Sequence, residues 1–277
     1  MMNKEKTFYS FFIFFSLFVL SYGFNAIIQI ILSRNLNPSM YGEISAIFSL
    51  LFLISFISSG FGLNTYLQNI LSKTDFDSVI ISKSLIYITF SLFIGFNLLL
   101  VFIFFFNQTI FKFELLLVFF FYLLGFSFFE LLITILQVKN KFVTFSIFNL
   151  ILITSRLVGL VLIYVLNVSF SITNILIIYG FTGLLFFVFS IYKIYILNNK
   201  KFTISYKNSE LSIFLIFKNS YYYGVSTLCY LIILSGSILL FKYFFGNETT
   251  GYFQAAYNIF LIITLPFSVI IQKYFLP

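Results

Sequence analysis

Runs of twenty or more apolar residues recur from one end of this chain to the other, with only short polar breaks between them. A bilayer core about 30 Å thick takes roughly 20 apolar residues of helix to cross. Lipid offers no hydrogen-bond partner to an open backbone, so a chain of this pattern folds into membrane-spanning helices. The candidate spans are 8–32, 44–69, 82–106, 114–136, 143–166, 171–196, 212–241 and 252–276. Composition agrees, with 61% hydrophobic and only 9% charged residues; a soluble domain needs about 25% charged to face water. The first run is too long for a signal peptide and has no small-residue cleavage site, so it counts as a helix. The expected fold class is an all-α polytopic membrane protein of about eight transmembrane helices.

Loop charges set an orientation. With the N-terminus inside, the inner segments hold ten lysines (4, 6, 73, 83, 139, 141, 193, 200, 201 and 207), and the outer ones hold Arg34, Lys112 and Lys242. That asymmetry is a positive-inside signal and predicts a cytoplasmic N-terminus. It also accounts for the formal charge of +8, since basic loops sit against anionic head groups. Nucleic acid is therefore not an expected partner. Heavy use of Phe, Ile, Asn, Lys and Tyr without Trp is the bias of an AT-rich genome and hints at a bacterial source. The sequons at Asn107, Asn167 and Asn247 read as coincidence in an Asn-rich chain.

What is missing narrows the chemistry. There is no His, and Cys229 is the single cysteine, so an imidazole base, the usual zinc set and an intrachain disulfide are excluded. No phosphate-binding glycine loop or GxSxG elbow occurs. No cofactor, metal or catalytic residue is expected. A membrane polymerase or glycosyltransferase would need acids or bases in a sizeable outer loop, and the outer carboxylates Glu43, Glu114 and Glu248 are scattered at span boundaries.

The chain also carries a repeat. RNLNPSMYGEISAIFSLLFLIS from Arg34 and KYFFGNETTGYFQAAYNIFLIITLP from Lys242 each place a basic residue and a polar turn before Gly (42, 251), then Ala four residues on (46, 255). The offset of 209 residues spans six helices. An even number keeps the orientation, which predicts a parallel repeat about an axis along the membrane normal. The expected organisation is a six-helix first lobe over 1–197, a cytoplasmic linker at 198–210, and the first two helices of an incomplete second lobe over 211–277.

Three stretches carry a family resemblance: SRNLNPSMYGEISAIFSLLFLIS with SSGFGLNTYLQN, then QVKNKFVTFSIFNLILITSRLVGLVL, then NETTGYFQAAYNIF. In these the chain resembles the oligosaccharide (O-antigen and capsule) flippases of the multidrug/oligosaccharidyl-lipid/polysaccharide transporter superfamily. Members usually carry twelve or more spans in two lobes, so the chain looks truncated after the first lobe plus two helices. Near Gly236–Ser237, where relatives often carry an acidic and then a basic residue, it is uncharged. The resemblance implies an alternating-access transporter in a bacterial plasma membrane. Its substrate would be an undecaprenyl-diphosphate-linked oligosaccharide bound in a cationic cavity. The alternative is a non-transporting fragment that depends on a second chain, or on self-association, to complete the missing lobe.

A diphosphate crossing a low-dielectric region needs fixed positive charge. Arg156 lies about 20 Å into its span, too deep to snorkel readily, and an intramembrane Arg normally faces a cavity or a partner. Glu130, one span earlier, is either that partner, an ion-coupling carboxylate, or a residue reaching head-group water. Arg34 and Lys218 stand at span ends, as interfacial anchors or substrate contacts. Asn25, Gln29, Asn64 and Gln68 either line a groove for sugar hydroxyls or bond between helices.

Overall fold

A computed structural model describes residues 4–71, 78–106, 113–198 and 213–270. These residues form helices and turns, with no strand among them. The helices are α1 (Lys4–Asn35), α2 (Pro38–Ser58), α3 (Leu63–Leu71), α4 (Ser78–Phe106), α5 (Phe113–Val138), α6 (Phe142–Val165), α7 (Ile172–Leu197), α8 (Ile213–Leu231) and α9 (Ser237–Ile270), with a π-helical turn, Ile232–Gly236, between the last two. Seven helical runs among the described residues are long and apolar enough to cross a bilayer. The chain is an all-α polytopic membrane protein.

The seventh run, Phe214–Phe260, has 47 residues and would be about 70 Å long if straight, over twice the hydrocarbon thickness. It is not straight. Gly246 has φ 79° and ψ 178°, and the rings of Phe241 and Phe253 stack with centroids 4.0 Å apart. Twelve residues of continuous helix would separate them by about 18 Å. The chain therefore reverses at Gly246 and makes two arms, so that among the described residues this one run stands for the last two of the expected spans. The polar loop expected between the last two spans is instead helix up to and beyond a single residue. That φ/ψ pair is open essentially only to glycine, and nothing lies within 4 Å of where a Gly246 Cβ would stand. Gly246→Ala should accordingly cost about 1–3 kcal/mol through the backbone alone. Thermal unfolding in detergent reads this, and an unchanged midpoint would mean the turn has another conformation.

Local signals set the other boundaries. The second span begins at Pro38 rather than at 44. Asn37 Oδ1 accepts from the Met40 N–H at 2.8 Å, an N-cap followed by proline at the first helical position. The expected span 44–69 is also broken: Gly60, Phe61 and Gly62 have φ of 100°, 40° and 85°. Beyond the break, α3 buries Leu63, Tyr66, Leu67 and Leu71, one face of an amphipathic helix. Helix α5 ends with Asn140 at φ 54°, where Asn140 N–H donates to Gln137 O and Lys141 N–H to Leu136 O. Asn167 ends α6 in the same way, at φ 51°. Both are Schellman caps, in which Asn tolerates the left-handed residue. Within the spans, buried Ser21, Ser45, Ser58, Ser84 and Ser127 donate to carbonyls four residues back, so their hydroxyls need no water.

The chain forms two compact units. One comprises Met1–Ala46, Leu136–Ile178 and Phe241–Pro277; the other comprises Ile47–Ile135 and Tyr179–Leu240. In the second, α5 meets α7 through edge-to-face pairs Phe128–Phe187 and Phe129–Phe186 at 5.0 and 5.3 Å. Except for Asn198, the expected linker at 198–210 lies outside the described residues.

Candidate functional site

In the first unit, the two repeat hairpins meet. The second helix of one begins at Pro38, and the second arm of the other begins at Asn247, 209 residues later, in the register of the sequence repeat. A Cβ on Gly42 would collide with the Asn247 carbonyl oxygen and lie 2.7 Å from the Gly251 nitrogen. A Cβ on Gly251 would collide with the Pro38 carbonyl oxygen and lie 3.3 Å from the Gly42 nitrogen. Pro38 and Asn247 are repeat mates, as are Gly42 and Gly251, so each copy offers the other the same surface. This is the self-complementarity of a two-fold contact, built from small residues as membrane helix interfaces are. Glu43 and Lys242 also lie within electrostatic reach of each other across it.

Beside the contact sits a polar network. Gln29 Oε1 accepts from Tyr41 OH at 3.0 Å and from Asn258 Nδ2 at 3.1 Å. Asn258 Nδ2 also donates to Tyr41 OH at 2.8 Å, and Gln254 Nε2 donates to Asn258 Oδ1 at 2.8 Å. Tyr41 and Gln254 are buried, at 3% and 8% exposure, whereas Gln29 and Asn258 are half-buried. Gln254 Oε1 is buried without a donor, which costs about 1–3 kcal/mol unless something supplies one.

Helix α1 packs on α6 in the same unit. Phe14 meets Phe142 and Phe145 at 6.1 and 6.2 Å, and Phe18 meets Phe145 at 5.6 Å. The pairing advances the same way along both helices, so they run parallel. Continued at equal rise, it brings Arg156 level with the stretch of α1 around Gln29. Arg156 is half-buried, with its Nε shielded from solvent, and stands roughly 21 Å from one end of α6 and 14 Å from the other. Asn25 and Arg34 are exposed, Arg34 in the last turn of α1. The turn between α5 and α6, outside the spans, holds Lys139 and Lys141; burial, and then the Lys141 charge, lowers the Lys139 pKa below the usual lysine value.

The second unit holds Lys218, Asn64, Gln68 and Glu130. Here α3 packs on α8: Asn69 Nδ2 donates to Tyr223 OH at 2.7 Å, and Asn219 Nδ2 to Tyr66 OH at 3.0 Å. Asn64 Oδ1 is buried with no donor, Gln68 is half-buried, and Lys218 is exposed next to Asn219. Glu130 is half-buried on α5. Arg156, the partner expected for it, belongs to the other unit.

The residues singled out from sequence thus fall into two groups, and Gln29 is tied into the polar network of the first. Sequence reasoning missed Tyr41, Gln254 and Asn258 around it, and Tyr66, Asn69, Asn219 and Tyr223 on α3 and α8. Gln254 and Asn258 had a signal: they are a polar pair four residues apart in an apolar span, and their repeat mates are Ser45 and Ser49. Among the described residues no group of three or more His, Cys, Asp or Glu stands ready for a metal ion. No family model, curated protein or solved structure matches the chain.

Proposed function

We propose that this protein belongs to an alternating-access transporter that carries a lipid-linked, diphosphate-bearing oligosaccharide across a bacterial plasma membrane, with its N-terminus in the cytoplasm. The observation that carries the reading is Arg156. A guanidinium this deep in a span is held at a cost of about 2.5–3.5 kcal/mol on insertion scales, and in membrane proteins such residues mark substrate or ion pathways. Its charge suits an anion that must leave water, and its planar fork suits phosphate oxygens. The reciprocal Gly42–Gly251 contact supports the transporter class, because parallel repeats about an axis along the membrane normal are one architecture of secondary carriers.

The other residues take subordinate roles. Lys218, at the inner start of α8, meets the incoming diphosphate, and Lys139 and Lys141 are positive-inside flanks of α6; Arg34 anchors the outer end of α1. Gln29, with Asn25, extends the polar edge along which sugar hydroxyls pass. Glu130 is the ion-coupling carboxylate. The activity is transport rather than catalysis.

The test is glycan export in bacteria lacking their own flippase. Arg156→Ala should lower export about tenfold or more at unchanged protein level, the size of one charge-assisted hydrogen bond, and Arg156→Lys should retain part of it. Full export by Arg156→Ala at equal protein level would sink the diphosphate role.

A further inference from the structure

The second arm of α9 sets an aromatic row beside its amides. Phe241 and Phe253 stack at 4.0 Å with planes 10° apart, Phe253 and Tyr257 at 5.7 Å and 9°, and Tyr257 and Phe260 at 6.2 Å and 24°. Residues 253, 257 and 260 share one helix face. The rings are close to parallel, each stacked on the next, and the row ends at Phe260. Phe260, at its end, is 56% exposed. On the neighbouring stripe stand Gln254 and Asn258, with Gln29 bonded to the latter. Asn258 is twelve residues beyond Gly246, or roughly 18 Å along the arm, near the middle of a bilayer.

A purely lipid-facing surface would explain the rings but not the amides. Interhelical bonding would explain Gln29 and Asn258 but not Gln254, which is nine-tenths buried and whose Oε1 has no donor. An exposed aromatic ring at the end of that row, beside neutral amides that offer both donors and an unfilled acceptor, matches one ligand chemistry. A pyranose ring has an apolar C–H face for the aromatic ring and equatorial hydroxyls for the amides. An aliphatic chain would leave the amides unused, and a phosphate would be repelled by the orphaned carbonyl oxygen.

We propose that Tyr257 and Phe260 form the platform, and Gln254 and Asn258 the polar edge, of a subsite for a neutral sugar ring. The subsite rests on the transport reading above, since a sugar reaches this depth only through a water-filled cavity. It divides the cargo chemically. Arg156 holds the anionic linkage, and α9 reads the uncharged glycan.

The experiment uses the full chain in nanodiscs and a panel of methyl glycosides of glucose, galactose and N-acetylglucosamine, read by saturation-transfer NMR. The expected result is saturation concentrated on the ring C–H protons of at least one glycoside. Phe260→Leu and Gln254→Leu should each weaken that glycoside roughly five- to tenfold, the worth of one aromatic face or one hydrogen bond. Tyr164→Leu, an exposed aromatic on α6, should leave it unchanged. Phe260 is exposed enough that its replacement leaves packing intact, and thermal unfolding of each variant checks this. If no glycoside is saturated, or if both variants bind like the parent, or if Tyr164→Leu loses as much, the subsite is wrong. The transport reading would survive each of those outcomes, because export and its dependence on Arg156 are measured separately.

Discussion

Gly42→Val and Gly251→Val should each remove the folded protein from the membrane. In a helix interior, Gly→Ala ordinarily stabilises by about 1 kcal/mol, so even alanine at these sites sets propensity against space. Space wins, because the atoms a new Cβ would strike are the backbone oxygens of Asn247 and Pro38, which cannot rotate aside as a side chain can. Overpacking a rigid contact costs about 1–3 kcal/mol and occasionally more, and two backbones at van der Waals distance belong at the upper end. The reciprocity gives a sharper expectation from the alanine variants. Once Gly42→Ala has pushed the hairpins apart, Gly251→Ala meets space already opened. The double variant should then cost about 3–4 kcal/mol rather than the sum of two changes of about 3 each, an interaction of roughly 2–3 kcal/mol. Chemical denaturation of the purified protein in detergent measures the cycle. Strict additivity would mean the two glycines do not share one contact.

That contact also shows what the sequence could reveal. The pairing of Gly42 with Gly251 as repeat mates is visible in the letters, and the hydropathy rhythm places α5, α6 and α7 within a few residues of their observed ends. The second span is where averaging failed. Its window could not separate a helix capped by Asn37 and Pro38 from the loop before it, nor see that Gly60–Phe61–Gly62 stops a run whose residues are otherwise apolar. The final hairpin failed for the opposite reason. Lys242, Asn247 and Glu248 look like loop by polarity, yet one glycine at φ 79° suffices to turn the chain and the polar residues stay helical. The aromatic row could not be found from spacing alone, since Phe241 joins it only after that reversal. Of the candidate site, residue types were legible and partners were not. Gln29 was a plausible groove residue, but its bonds to Tyr41 and Asn258 come from elements 12 and 229 residues away.

Those bonds support a prediction in which two neighbouring amides, so alike in sequence, respond in different ways. Asn258→Leu should destabilise the protein by about 3 kcal/mol. It removes two donated bonds and one accepted bond, each worth about 0.6 kcal/mol on average between membrane helices. It also strands Gln29 Oε1 and Tyr41 OH with one partner fewer and takes the acceptor from Gln254 Nε2. Gln254→Leu should be neutral or slightly stabilising. It gives up a single bond but also removes an acceptor that is buried with no donor, and replacing such a group by an apolar one of similar shape recovers the desolvation penalty of about 1–3 kcal/mol. Denaturant titration of both variants decides it, with the difference between them the informative quantity. Equal losses would mean that Gln254 Oε1 has a donor in the membrane, and a water held at the network would then be the first candidate, since such a site offers the several polar partners a buried water needs. A loss confined to Asn258 would leave Gln254 as the group held open for a ligand, which is the role the sugar subsite assigns to it.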